Sequence, residues 1–524
     1  DFNLPPTERF NRINRGFDTE SVSPLEALVD HAAVPELPTP IHGGIRFAGV
    51  KGEPRAAANA YYKTWQPRFG LAYSLSRRTV LRGGWGRYYS NPNNDYHQSY
   101  GFNNQTTMSV SPDSNRTPYP NMLNNPFPNI NQPRGAADGL LTYAGRSFNF
   151  VNTNFRTPHV DLFSFSIQRA VGERSRFEIS YSGSRGYDQQ STKPYNEQDD
   201  SNFRDACNWM LGGNPSYCDA QIPNPWKGMD AFFGTNWYTQ NTLSRNVLLR
   251  PFPQFNTFTE YMRNDGRTWY NSLQALFNTR TRKGLNLNVN YTFAKNMVRA
   301  GYLDASNDVM QQGVTQYDRP HRFVASMISQ LPFGRGKRWL NRRRGFAGRL
   351  VSGWESTLMF TVMSGVPWTL PDSPKVMYLK DARIPFRWDQ EMIRAIKPCV
   401  IRWNTNNTIV TMPFSVDYGC TEPNWLIVPN YTPQRFMPEY DSRLRLQTIR
   451  MADASLNKMT QINERFRVQF RVEVFNVTNS FFVTRAMFNA TPDNANFGVL
   501  YKSTVSAPDS NYPRQVQLGM KLLW

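Results

Sequence analysis

Phe466-Arg-Val-Gln-Phe-Arg-Val-Glu-Val474 is the stretch that decides the fold. Phe466, Val468, Phe470, Val472 and Val474 fall on every second position, with Arg467, Gln469, Arg471 and Glu473 between them. Side chains of an extended strand point alternately to its two faces, so this stretch presents one apolar face and one charged face. Strands of soluble sandwiches alternate too, but are usually only ~5–6 residues long. Runs of ~9–11 residues suit tilted strands that cross a bilayer.

The same writing recurs along the chain. Leu285, Leu287, Val289, Tyr291 and Phe293 alternate with Asn286, Asn288, Asn290 and Thr292. Phe69 to Leu75, Phe163 to Ile167, Phe177 to Tyr181, Trp354 to Val362 and the closing Val516 to Trp524 repeat it. Connections alternate in length. Short turns are expected at Ser76-Arg77-Arg78, Val171-Gly172-Glu173-Arg174, Arg282-Lys283-Gly284 and Gln461-Ile462-Asn463, with a longer basic one from Pro332 through Arg338. Long polar segments fill roughly 91–157, 190–267, 298–319, 365–450 and 477–513. Short turns at one end and long loops at the other are the rhythm of outer-membrane barrels. The fold class is therefore all-β, a large antiparallel transmembrane barrel, here with about eleven strands in five hairpins plus a last strand. Open sheet edges cannot sit in lipid, because their N–H and C=O groups would lack partners. The wall is expected to be completed by polypeptide before Asp1 or by another chain.

Composition agrees. The 524 residues are 39% hydrophobic, with mean hydropathy −0.60, and no apolar run reaches the length of a membrane helix. Alternating strands average out in this way. Aromatics reach 14%, the excess that interfacial girdles use, although the core of a large soluble β-protein could also bury it. The net charge of +20 attracts anions, but no zinc-finger, RRM or KH pattern accompanies it, so nucleic acid is not an expected partner. Cys207 and Cys218, then Cys399 and Cys420, form two local pairs without zinc spacing, and read as two disulfides in an oxidising compartment, with free thiols as the alternative. The opening Asp1-Phe-Asn-Leu-Pro-Pro6 reads as sequence from the middle of a protein.

Gln66-Pro-Arg-Phe-Gly-Leu-Ala-Tyr73 followed by Thr79-Val-Leu-Arg-Gly-Gly-Trp-Gly-Arg-Tyr-Tyr89 resembles TonB-dependent outer-membrane receptors, more closely their Oar-like branch with a carboxypeptidase-regulatory-like domain. Further blocks agree in order: Ser180 to Gly186, Trp269 to Gln274, Tyr291 to Lys295, Asp318-Arg-Pro-His-Arg-Phe323, Leu331 to Lys337, Gly353-Trp354, Ser364 to Pro367 and Arg471 to Asn479. The resemblance implies a barrel of about 22 strands with a plugged lumen, of which residues 1–524 would be the C-terminal half. It implies TonB-driven uptake of a scarce nutrient such as a metal chelate, glycan or peptide. No plug, TonB box or regulatory-like domain is visible in this chain, so contact with the TonB complex would lie in the missing N-terminal part. The chain ends in Trp524, where such barrels more often end in Phe.

Candidate site residues follow from the alternation. Arg68, Arg82, Glu178, Glu355, Arg467, Arg471 and Glu473 fall on the polar face and would line the lumen, either merely solvating it or forming part of a substrate path. Trp85, Tyr88, Tyr89, Trp354 and Trp524 are girdle candidates. The basic turns at Arg77-Arg78, Arg280/Arg282/Lys283 and Arg335–Arg344 would meet anionic lipid headgroups; outer-membrane lipids and lipopolysaccharide are the expected surroundings. Asp304 and Asp308 could offer oxygens to calcium, against an ordinary solvated loop. His321 reads as part of a strand-entry motif, and none of the five histidines has paired-ligand spacing. Gly334-Arg-Gly-Lys337 reads as a tight basic turn. No cofactor and no nucleophile–base set is expected, so an enzyme is not. Ligand, whether small molecule, glycan or peptide, would be caught by the loops at 91–157 and 190–267. The alternatives are a structural or adhesive surface barrel and a secreted soluble all-β protein such as a lectin or hydrolase.

Overall fold

The computed structural model describes the chain except residues 1–3, 91–97, 106–107, 109–110, 112–115, 119–123, 125–126, 128–129, 131, 198–204, 208–212, 343–344, 371–374, 385–391, 404–407, 429–434, 481–488, 490 and 502–512. Eleven strands make one antiparallel wall in which each pairs with its neighbours in the chain. They are β1 (Arg68–Ser76), β2 (Thr79–Tyr89), β3 (His159–Val171), β4 (Ser175–Pro194), β5 (Phe258–Arg280), β6 (Leu285–Asp304), β7 (His321–Gln330), β8 (Trp354–Met363), β9 (Ile449–Gln461), β10 (Arg467–Phe475) and β11 (Gln515–Leu523). Among the described residues, β1 and β11 pair on one side only.

Register turns the sequence alternation into two continuous surfaces. Tyr73, Leu81, Ile167, Ile179, Ala275, Tyr291, Phe323 and Val362 form one cross-strand row. On the opposite face Arg82, Ser166, Ser180, Gln274, Thr292 and Arg322 form another. A slip of one residue would exchange the faces, so patterning and pairing specify each other. The apolar face is bare: Leu71, Leu518 and Met520 are 70%, 66% and 80% exposed. Phe470, in the deciding stretch, points outward with it and is also exposed. No helix is long and apolar enough to cross a membrane, which bears on helices alone.

Because the wall is a meander, its connections alternate between two ends. Residues 77–78, 172–174, 281–284 and 462–466 are short turns at one end, with Gly172 and Gly284 at positive φ. Residues 331–353 share that end and carry a short helix, Gly345–Val351. The other end receives 90–158, 195–257, 305–320, 364–448 and 476–514.

At that long end the structure departs from the expected polar loops. The middle strands outrun the bilayer length: β4, β5 and β6 have 20, 23 and 20 residues. Phe148–Val151 pairs parallel to the tip of β5, and Val309–Val314 pairs with β6. Residues 4–67 and the described parts of the long connections fold over these tips into a cap, opened by a hairpin of Asn14–Val22 with His42–Phe47. The buried apolar clusters lie here. Phe17 packs among Phe148, Phe150, Phe252, Phe255 and Phe258, its ring 4.7 Å from that of Phe258. Trp226 stacks on Phe232 at 5.1 Å over Leu25 and Leu248. Trp425, Phe497, Trp368 and Val400 centre a third cluster. Disulfides Cys207–Cys218 and Cys399–Cys420, with Cα atoms 5.8 and 5.5 Å apart, tie the cap segments.

Candidate functional site

The seven charged candidates of the polar face share that face without forming one cluster. Arg68 lies at the β1 edge with its guanidinium 4.6 Å over the Tyr88 ring. Arg82 donates to Gln168 Oε1 at 2.6 Å, and Gln168 is the cross-strand neighbour of Glu178. Glu355 and Arg471 flank Asn457, and Arg471 lies 3.5 Å from Glu473. Arg467 stands at the short-turn end of β10. Between these groups, β4 to β7 present mainly hydroxyls and amides, including Ser180, Ser182, Gln274, Asn288, Asn290 and Ser326. Such a surface offers hydrogen bonds in both directions, with Arg176, Glu178 and Arg322 among its few charged members.

The cap adds features that sequence alone did not single out. A cleft of about 410 Å³ opens between residues 101–104, 132–146 and 230–234. Tyr143 and the largely exposed Phe233 contribute rings, while Asn103, Arg134, Asp138, Arg146 and Asp230 contribute polar groups. Arg134 pairs with Asp138 at 2.6 Å, and the Arg146 guanidinium lies 5.9 Å from the Tyr143 ring centre. Its size falls in the range of small-ligand pockets. The two walls are ~90 residues apart in sequence, so no local pattern could have announced it.

At the base of the cap, Arg263 sits between Glu260 (2.8 Å) and Asp265 (2.9 Å). Asp265 also accepts from the hydroxyls of Ser191 and Tyr302. Burial works against its charge, but the hydrogen bonds from Ser191, Tyr302 and Arg263 outweigh it and hold the carboxyl below the usual range. Burial, reinforced by Asp265, pushes the Tyr302 phenol up.

The remaining candidates fall as follows. Asp304 accepts from Ser306 Oγ (2.7 Å) and Asn307 Nδ2 (2.8 Å), and Asp308 pairs with Lys193 at 2.6 Å. Among the described residues no group of three or more His, Cys, Asp or Glu is placed to hold a metal, and Asp304 closes a hydrogen-bonded turn with Ser306 and Asn307. Trp85 stacks on Phe69 at 5.9 Å on the apolar face, and Tyr89 lies on that face beside His159 at 5.1 Å. Tyr88 is displaced from the girdle set: as the neighbour of Tyr89 in a strand of period two, it must point to the polar face. Trp354 donates to the Leu350 carbonyl at 2.9 Å beside Lys458, and Trp524 is 89% exposed. His321 opens β7, its Nδ1 2.8 Å from the Tyr291 hydroxyl. Asp318, in the same motif, is buried, accepts from the Asn296 amide and pairs with Arg445 at 2.5 Å. Gly334 to Lys337 closes a turn by a 3.1 Å hydrogen bond. His97, Arg343 and Arg344 lie outside the described residues.

Comparisons with known proteins follow the geometry. No curated protein matches the chain. Among solved structures, it is similar to the outer membrane transporter YddB from Escherichia coli, at 11% identity and a TM-score of 0.36, over 89% of this chain and 40% of that one. It is similar to the ferripyoverdine receptor of Pseudomonas aeruginosa at 8% identity and a TM-score of 0.34, over 92% and 35%. For the siderophore receptor PirA from Acinetobacter baumannii the values are 8% and 0.36, over 89% and 41%. The chain thus spans about two fifths of the length of these proteins. The assignment rests on a family model, described as "Outer membrane beta barrel domain", that matches residues 1–517. With its two-faced antiparallel wall and its match over nearly the whole length, the chain belongs to the outer membrane beta barrel domain family and resides in the outer membrane.

Proposed function

We propose that the chain is the C-terminal half of the barrel of a TonB-dependent transporter of the Oar-like branch. In this reading the apolar face looks outward into lipid, the polar face lines the lumen, and the cap stands outside the cell. Its cargo is a scarce, small polar nutrient, with a glycan or peptide favoured over a metal chelate. The observation that carries the reading is the inner face of β4 to β7, where hydroxyls and amides run from strand to strand. Neutral donors and acceptors can exchange hydrogen bonds with sugar hydroxyls or peptide groups without trapping them, whereas a desolvated ion pair would hold its partner. The cap cleft with Tyr143 and Phe233 supplies a first docking place of matching chemistry. The TonB complex would engage parts of the protein outside this chain.

The test compares cells carrying the full-length gene with a deletion strain in a mixture of labelled oligosaccharides and peptides, with and without a protonophore. Depletion of one ligand class that requires both the gene and the proton-motive force is the expected result. Tyr143→Ala combined with Phe233→Ala should lower capture about tenfold, the scale of lost aromatic contacts. Surface binding without energy-dependent uptake would sink the transport reading and favour the structural or adhesive barrel.

A further inference from the structure

The outward face of the wall changes character toward the cap. Climbing β5 and β6, the outward pairs Phe277/Val289, Ala275/Tyr291 and Leu273/Phe293 give way to Asn271/Lys295, Trp269/Met297 and finally Arg267/Arg299. Arg267/Arg299 is the last rung of that ladder. On its other side β6 pairs with Val309–Val314 from Met297 onward, which sets Gln312 beside Arg299, while the pairing of β5 with β4 shifts repeatedly between Glu260 and Thr268. The gap forms a cavity of about 450 Å³, whose lining includes Arg156, His159, Tyr187, Asp188, Arg267 and Arg299.

Two like charges directly opposite each other in an antiparallel pair repel. Three nearby arginines have their charge matched. Arg87 grips Asp161 with two hydrogen bonds of 2.7 and 2.9 Å, Arg156 lies 3.4 Å from Asp188, and Arg263 has Glu260 and Asp265. Among the described residues neither Arg267 nor Arg299 has an acidic partner. Arg299 Nε is buried without a hydrogen-bond acceptor. Arg267 is exposed, its guanidinium 6.0 Å from the Tyr187 ring centre. Two carboxylates also line the cavity and both are engaged elsewhere: Asp188 faces Arg156 and lies 3.7 Å from His159 Nδ1, and Asp265 is held by Arg263, Ser191 and Tyr302. Two guanidiniums sharing a rung with donor capacity left over match a phosphate, which accepts several such bonds at once. The level fits as well: the rung lies two residues, ~7 Å along the strand, beyond the Trp269/Met297 pair, and Trp marks the membrane interface.

We infer that Arg267 and Arg299 form an outward-facing site for the phosphate of an outer-leaflet lipid headgroup. The full-length receptor, purified in a non-ionic detergent and shown to be folded by heat-modifiable migration, is titrated with lipopolysaccharide, with the same lipid after enzymatic dephosphorylation, and with inorganic phosphate alone. The phosphorylated lipid should bind best. Arg267→Gln with Arg299→Gln should weaken it by about tenfold or more, the scale of a lost charge-assisted hydrogen bond. Arg335→Gln, at the short-turn end, should leave it unchanged. Equal binding of the dephosphorylated lipid, a measurement that needs no variant, overturns the inference, as does wild-type affinity in the double variant. Inorganic phosphate binding as tightly as the lipid overturns the lipid assignment and leaves a free-phosphate site.

Discussion

Val289→Arg and Asn290→Arg place the same side chain one residue apart in β6, and the two-faced wall demands opposite outcomes. The unbroken apolar run of outward positions on β6 goes from Leu285 to Phe293, eight residue steps or ~27 Å along the strand at ~3.4 Å each. A strand tilt of ~35–45° shortens this to ~20 Å across the membrane, close to the ~25 Å apolar band of such barrels. Val289 is the middle of the five, ~10 Å from either margin, flanked by Phe277 and Ala325. Arginine near the midplane costs ~2–4 kcal/mol, which is ~30- to ~700-fold in the folding equilibrium. Asn290 lies between Leu276 and Val324 on the inner face, where a long cation reaches water, so its change should stay within ~1 kcal/mol. Full-length protein folded into vesicles and titrated with urea, scored by heat-modifiable migration, reads both. If Asn290→Arg costs as much as Val289→Arg, the assignment of faces is wrong.

Three further outcomes are expected. Phe258→Ala removes a buried ring stacked 4.7 Å from Phe148 and should cost the cap ~3–5 kcal/mol, seen as faster proteolysis of cap segments with heat-modifiable migration unchanged. Asp318→Asn breaks the buried pair with Arg445 and should cost a similar ~3–5 kcal/mol, read as faster hydrogen exchange at residues 440–445 and at the Asn296 amide; unchanged exchange would refute it. Asp265 has a lowered pKa when folded, so its contribution is complete above the ordinary carboxylate pKa of ~4 and is lost as pH falls through the folded value. Exchange at 258–266 should therefore rise only on strong acidification, and a rise between neutral and alkaline pH would contradict the network.

The wall was legible because lipid imposes a rule on every second residue. Leu285, Val289 and Phe293 could be read as outward and Asn286 and Asn290 as inward without any partner being known. The rule stops where water begins. Phe148, Phe252 and Phe258 sit in segments read as polar loops, and only their meeting with Phe17 makes a core, which no local period records. Strand ends escaped for the same reason: β5 runs to Phe258 because cap residues cover its tip, not because alternation continues. The inner-face candidates were found as residue types on a face, but their grouping depends on register: Arg82 meets Gln168 because Val80 is opposite Gln168 and Arg82 opposite Ser166. The Arg267/Arg299 rung was hidden likewise, since two arginines 32 places apart become neighbours only through the hairpin.

The two disulfides each close a short local span, Cys207 to Cys218 over 11 residues and Cys399 to Cys420 over 21. Neither bridge staples one wall hairpin to another. Oxidation in the periplasm can thus tie each knot while the polypeptide is still a free thread, and strand pairing can proceed in any order around it. The cost falls on export: each knotted loop must pass through the membrane as a bulky parcel instead of a single file of residues.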